Sequence, residues 1–138
     1  MDCGEAQLGQ GNTTDRSSPV QIGSLTNWSA IQSGTNAYKC SFAINSSGQL
    51  FAWGFSAAGT SEGRLGLGNS TDYSSPVQVG SLTNWKSLAC GFRHSLAIKT
   101  DGTLWSWGDG YHGQLGNGSV TDISSPVQVG SLTNWSKV

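Results

Sequence analysis

The chain has 138 residues, 36% hydrophobic and 9% aromatic, which is enough apolar material for an ordered core of one-domain size. Charged residues make up only 11% and the formal net charge is −1, so no basic stripe exists to neutralise nucleic-acid phosphates, and DNA and RNA are excluded as main ligands. No apolar run approaches the roughly 20 residues of a membrane span. The N-terminus, MDCGEAQLGQ, lacks the basic-then-apolar pattern of a secretion signal, and the localisation stays open.

In chain order, residues 4–11 (GEAQLGQG) match 110–118 (GYHGQLGNG) with one residue fewer, so the chain is expected to start near the end of a repeat unit. The phrase TDRSSPVQIGSLTNW follows at 14–28 and returns almost unchanged at 71–85 and 121–135. Its closing tryptophans, Trp28, Trp85 and Trp135, are separated by 57 and then 50 residues, the period range of propeller blades and solenoid turns. Between the phrases, 28–70 aligns with 85–120, the first being longer by three residues near 35–37 and by four near 55–64.

Within a unit, short strands are expected at 77–79, 86–90, 94–99 and 103–107, separated by Gly, Asn, Asp and Ser clusters, with no helical period. Asp101-Gly102, and Ser47-Gly48 in the other copy, read as two-residue hairpin turns. Each unit is therefore an antiparallel meander. Along HSLAIKT, Leu96 and Ile98 point to one face while Ser95 and Ala97 point to the other, so both faces look covered, as they are where blades stack. Pro19, Pro76 and Pro126 are expected to open a strand, with Asp15, Asp72 and Asp122 capping the turn before it. This divides the chain into 1–18 (the end of a blade and a connector), a blade at 19–75, a blade at 76–125 and the start of a further one at 126–138.

With this order and spacing, GFRHSLAIKTDGTLWSWGDGYHGQLGNG (91–118) resembles the regulator of chromosome condensation repeat, whose fold is typically a seven-bladed β-propeller. The nearly verbatim, low-charge repeats look like a bacterial or phage-type member. The other copy departs from the pattern at Cys40, which stands where His94 does, and at Arg64-Leu65-Gly66, which replaces Gln114-Leu115-Gly116. The fold class is thus all-β, about two and a half four-stranded propeller blades belonging to a larger or inter-chain propeller. A propeller needs at least about four blades. The chain is accordingly expected to be a piece of a longer polypeptide, to complete a ring with other copies, or to stand open.

An enzyme would need a clustered acid and base, a nucleophile with its partner, or a metal set. The chain has two histidines and eight acidic residues and no HExxH, GxSxG, P-loop or EF-hand pattern, so no enzyme, cofactor or metal site is expected. Cys3, Cys40 and Cys90, odd in number and far apart, read as buried or idle thiols. The six tryptophans are assigned to packing between blades.

Positions that differ between repeats are not dictated by the scaffold, and they are the candidates for partner recognition. They are Arg16, Tyr73 and Ile123 in the TDxSSP slot, Tyr38, Lys39, Phe92 and Arg93 before the third expected strand, and Phe55, Glu62, Arg64, Tyr111 and His112 after the WG pair. The resemblance implies a non-enzymatic module binding a protein partner through propeller-face loops. The alternative is a structural subunit of a viral or cell-surface assembly, a homo-oligomer or larger complex. Guanine-nucleotide exchange, the activity of the family's namesake, would need a protruding wedge, and the only inserted loop, 55–64, is four residues longer than its counterpart.

Overall fold

The structure, a computed structural model, describes residues 6–34, 39–56 and 62–138. Eight strands among them form two four-stranded antiparallel sheets. The first runs β1 (Trp28–Ser33), β2 (Cys40–Asn45), β3 (Leu50–Gly54) and β4 (Tyr73–Gln78). The second repeats it as β5 (Trp85–Cys90), β6 (His94–Lys99), β7 (Leu104–Gly108) and β8 (Ile123–Gln128). These are the meanders expected from the repeat. No helix among the described residues is long and apolar enough to cross a membrane.

Two local expectations change. The SSPVQ strand closes a sheet instead of opening the next one: Gln78 pairs with Phe51, Val77 with Ala52 and Tyr73 with Gly54, so the sheets span 28–78 and 85–128, not 19–75 and 76–125. The loop after β3 brings the chain back beside β3, and an outermost strand is where proline's missing N–H does least harm. Pro76 and Pro126 accordingly lie inside β4 and β8, not at their starts. The hairpins close on three residues, not two. Lys99 N–H donates to Thr103 C=O and Gly102 N–H to Lys99 C=O, while Gly102, at φ +78°, takes the left-handed position that follows a type I turn. Asp101 Oδ1 accepts from both Thr103 N–H and Thr103 Oγ1–H, which holds its carboxyl below the usual carboxylate range.

The core is the seam between the sheets. Cys40, Phe42, Ile44, Leu50 and Ala52 of the first sheet pack on Trp85, Ala97 and Trp107 of the second, with Leu65 and Val79 filling in from the loops. Bulky side chains of one sheet thus meet a face that alanine keeps shallow at its centre. Trp107 is fully buried with its ring centroid 6.0 Å from that of Phe42, and its indole Nε1–H donates to Arg64 C=O at 3.0 Å. Gly66 lies against the same indole, where a Cβ would come within 2.8 Å of Nε1. A second link, Gly68 N–H to Ser124 C=O at 2.8 Å, joins the loop of the first repeat to β8. The pattern recurs one repeat earlier, where Trp53 Nε1–H donates to Gln7 C=O at 3.0 Å and Gly11 N–H to Ser74 C=O at 2.7 Å.

Trp107→Phe removes the indole donor, leaves the Arg64 carbonyl without it and opens a small void, an expected loss of roughly 2–3 kcal/mol by urea unfolding. Trp135→Phe, at a tryptophan that is 38% exposed, is expected to change stability by less than about 0.5 kcal/mol.

Candidate functional site

At one end of the second sheet the β5–β6 turn (91–93) and the β7–β8 loop (109–122) come together, and the loop of the first repeat reaches them across the seam. Gly108 makes the approach close: at φ +106°, its Cβ position would fall 2.5 Å from Arg93 C=O, the same carbonyl that accepts from Asp109 N–H. Gly54 and Lys39 repeat this arrangement in the first sheet, where Lys39 C=O accepts from Phe55 N–H. The aspartates expected to cap the turn before the strand bond across the loop instead, Asp72 Oδ1 accepting from Ser56 N–H and Asp122 Oδ1 from Gly110 N–H, while the turn is held by Asn69 and Asn117, whose Oδ1 atoms accept from Thr71 N–H and Ser119 N–H.

Most candidates from the second repeat, with Glu62 from the first, are brought together here. Arg93 Nη1 lies 3.4 Å from Glu62 Oε1 and 3.8 Å from Asp109 Oδ2, and its guanidinium is 5.7 Å from the Phe92 ring centroid. Tyr111 and His112 pack edge to face at 5.0 Å. Two shallow cavities flank Arg93. One, about 220 Å³, is lined by Glu62, Asp109, Tyr111, His112 and Asp122, and the other, about 430 Å³, by Phe92, His94, Asp109, His112 and Gln114. Phe92 is 56% and Tyr111 74% exposed.

The other candidates stand elsewhere. Arg64 is buried, ion-paired with Glu62 and 5.6 Å from the Phe55 ring, so its side chain belongs to the seam instead of presenting a surface. Glu62 is also buried, its carboxylate shared between Arg64 and Arg93. Phe55 and Lys39 are half-buried, and Tyr73 packs on the core with its hydroxyl accepting from Asn69 Nδ2. Tyr38 lies outside the described residues.

Sequence reasoning missed His94 as a member of this group. Its ring lies on Gly91, whose added Cβ would meet Cε1 at 2.4 Å, and burial lowers its pKa while the nearby Asp109 opposes the shift. Its counterpart Cys40 lies inside the seam near Cys90. Burial raises both thiols, and Cys90 is pushed up to about 12 by burial and by the proximity of Cys40, against a hydrogen bond from Ser95. Among the described residues no three His, Cys, Asp or Glu side chains are grouped as a metal ion would need.

The Regulator of chromosome condensation (RCC1) repeat profile matches residues 47–98 and 101–138, and a second profile of the same description matches 85–114. The chain belongs to this family. RCC1-repeat relatives include the Arabidopsis thaliana ultraviolet-B receptor UVR8, 36% identical over 107 residues that cover 75% of this chain and 23% of the receptor. Another is the human E3 ubiquitin-protein ligase HERC2, 34% identical over 119 residues, 78% of this chain and 2% of the ligase. The chain thus spans less than a quarter of either protein. In fold it is similar to Saccharomyces cerevisiae Prp20p, with a TM-score of 0.76 at 19% identity, covering 94% of this chain and 33% of Prp20p. It is also similar to human WBSCR16, with a TM-score of 0.67 at 21% identity, covering 80% and 27%. The two sheets are blades of the RCC1 type of propeller.

Because the folded protein favours neutral His94, the unfolded chain takes up this proton first as pH falls below about 6.5. Stability is therefore expected to decline between pH 7.5 and 5.5, and His94→Asn to decline less, as read from urea midpoints at both pH values. Iodoacetamide at pH 8 is expected to label Cys90 roughly a thousandfold more slowly in the folded than in the urea-unfolded protein, since an ordinary thiol has a pKa near 8.5.

Proposed function

We propose that this chain is a non-enzymatic propeller module that binds another protein through the loop face around Phe92, Arg93, Tyr111 and His112. The observation that carries this reading is the pair of exposed aromatics, Phe92 and Tyr111, on two loops that meet at a half-exposed arginine held by buried carboxylates. Aromatic and arginine side chains on a rigid base are the makeup of interface hot spots, because they present large contact area with little conformational freedom to lose. The base here is a blade seam whose backbone is fixed by Gly108 and by the Asp122 bond to Gly110 N–H. Relatives point the same way: the solved Prp20p structure is described with binding to Gsp1p and histones. The mixed charge of this face, Glu62, Asp109 and Asp122 around Arg93, suits a polar, charge-bearing protein surface better than an apolar one.

The test is affinity capture from the native source with wild type, a Phe92→Ala/Tyr111→Ala variant and a Leu132→Ala control. Each aromatic is expected to contribute about 1–2 kcal/mol to binding, so the double variant should lose its partner at least about tenfold while unfolding like wild type. A partner held equally by the double variant would remove this face from the interface, and no partner held above the background would remove the reading.

A further inference from the structure

The two repeats differ at two places that come together across the seam. In each sheet the last residue of the first strand stands beside the start of the second: Ser33 pairs with Ser41, and Cys90 with Ser95. Gly34 N–H then donates to Cys40 C=O at 2.8 Å, as Gly91 N–H does to His94 C=O at 2.9 Å. Cys90 thus takes the place of Ser33, and Cys40 that of His94. Within one sheet these slots hold serine with cysteine, or cysteine with histidine. Across the seam they hold two cysteines.

Packing brings this pair to one spot. β5 is the strand of the second sheet that lies against β1 and β2. Both β1 and β5 start at the tryptophan of the repeat and β2 runs back antiparallel, so Cys40 at the start of β2 and Cys90 at the end of β5 share one end of the seam. Cys40 is 7% exposed inside the core cluster, and the half-buried Cys90 packs against the same cluster. After burial, the charge of a Cys40 thiolate is what pushes the Cys90 thiol up, so the sulfurs lie within reach of each other's field. Both are free thiols in this structure.

We infer that Cys40 and Cys90 form a disulfide site, closed by exchange with a small disulfide oxidant such as oxidised glutathione, which staples one blade to the next. Cys90, the more exposed sulfur, attacks as thiolate one sulfur of the oxidant and expels the other as a thiolate. Cys40, as thiolate, then attacks the Cys90 sulfur of the mixed disulfide and expels the second half of the oxidant. Two thiols of the chain are oxidised to one S–S bond, the oxidant is reduced to two thiols, and the two thiol protons pass to those leaving groups. Burial makes either thiolate scarce, so closure is slow. The same burial penalises the thiolate that must leave when the bond is reduced, while a neutral disulfide suits the apolar seam, so the closed form resists reduction. The bond ties β2 to β5 just before the turn that carries Arg93, and it reinforces covalently the seam that the Trp107 indole holds by its hydrogen bond to Arg64 C=O.

The test takes the full chain with Cys3→Ser, so that only this pair can react. The folded protein is incubated with oxidised glutathione at about pH 8, trapped with N-ethylmaleimide, and read by intact mass and by tryptic peptides without reduction. Expected are the loss of two hydrogens and a linked pair of peptides, 40–64 and 87–93, whereas Cys40→Ser stops with glutathione held on Cys90. Closing a loop of about 50 residues is expected to lower the urea-unfolding equilibrium constant roughly a thousandfold relative to the reduced protein. No linked pair, or glutathione retained on either cysteine while both are present, would show that the sulfurs do not meet and would overturn the inference. So would an oxidised chain that unfolds as easily as the reduced one, or one that reduced glutathione opens as readily in the folded state as in urea. The linked pair is read without the Cys40→Ser variant, so it stands where that variant fails to fold.

Discussion

Everything else in the molecule hangs on an indole N–H that crosses from one repeat to the next. Trp107 donates to Arg64 C=O, and the turn that carries this carbonyl is drawn down on the ring by Gly66, where no side chain could fit at φ +72° against Nε1. A buried carbonyl without a donor costs about 1–3 kcal/mol, so the bond fixes the depth at which the loop of one blade meets the third strand of the next. That depth in turn sets the seam. The Phe42–Trp107 ring contact and the Gly68 N–H bond to Ser124 C=O hold the same seam beside it.

The same constraint ties fold to site. Arg64 is held by its backbone under Trp107 and by its side chain to Glu62, so the Glu62 carboxylate is delivered across the seam to Arg93 of the next repeat. A buried ion pair is weak evidence for stability, because desolvation offsets most of its attraction. Its consequence here is positional: it sets one acidic wall of the cavity that Arg93, Tyr111 and His112 share.

Much of this was legible in the sequence. The verbatim phrase and its spacing gave four-stranded meanders, because turn-forming Gly, Asn and Asp recur where strands of period-2 pattern must reverse. Comparing the repeats picked out Phe92, Arg93, Tyr111 and His112, but that their loops meet follows from the meander, which puts the β5–β6 and β7–β8 connections at the same end of the sheet. What periodicity could not show is which neighbour a strand pairs with. SSPVQ carries the same alternation whether it opens a sheet or closes one, and only the return of the long loop beside β3 decides. The burial of Arg64 was equally hidden. Read as a departure from Gln114 it looked like a recognition residue, but what that slot supplies to Trp107 is its backbone carbonyl. Its side chain is free to differ between copies provided a partner such as Glu62 receives it.

The variable positions therefore divide by which part of the residue the scaffold uses. At Gln7 and Arg64 it uses a carbonyl, and the side chain varies within a buried or half-buried setting. At Arg93 it likewise uses a carbonyl, accepting from Asp109 N–H beneath Gly108, but the guanidinium emerges beside Phe92 at the rim. Sequence variation alone cannot separate these cases. The direction of the side chain relative to the seam does: among the described candidates Arg16, Phe92, Tyr111 and His112 are exposed and Arg93 is half-exposed, whereas Glu62 and Arg64 are buried.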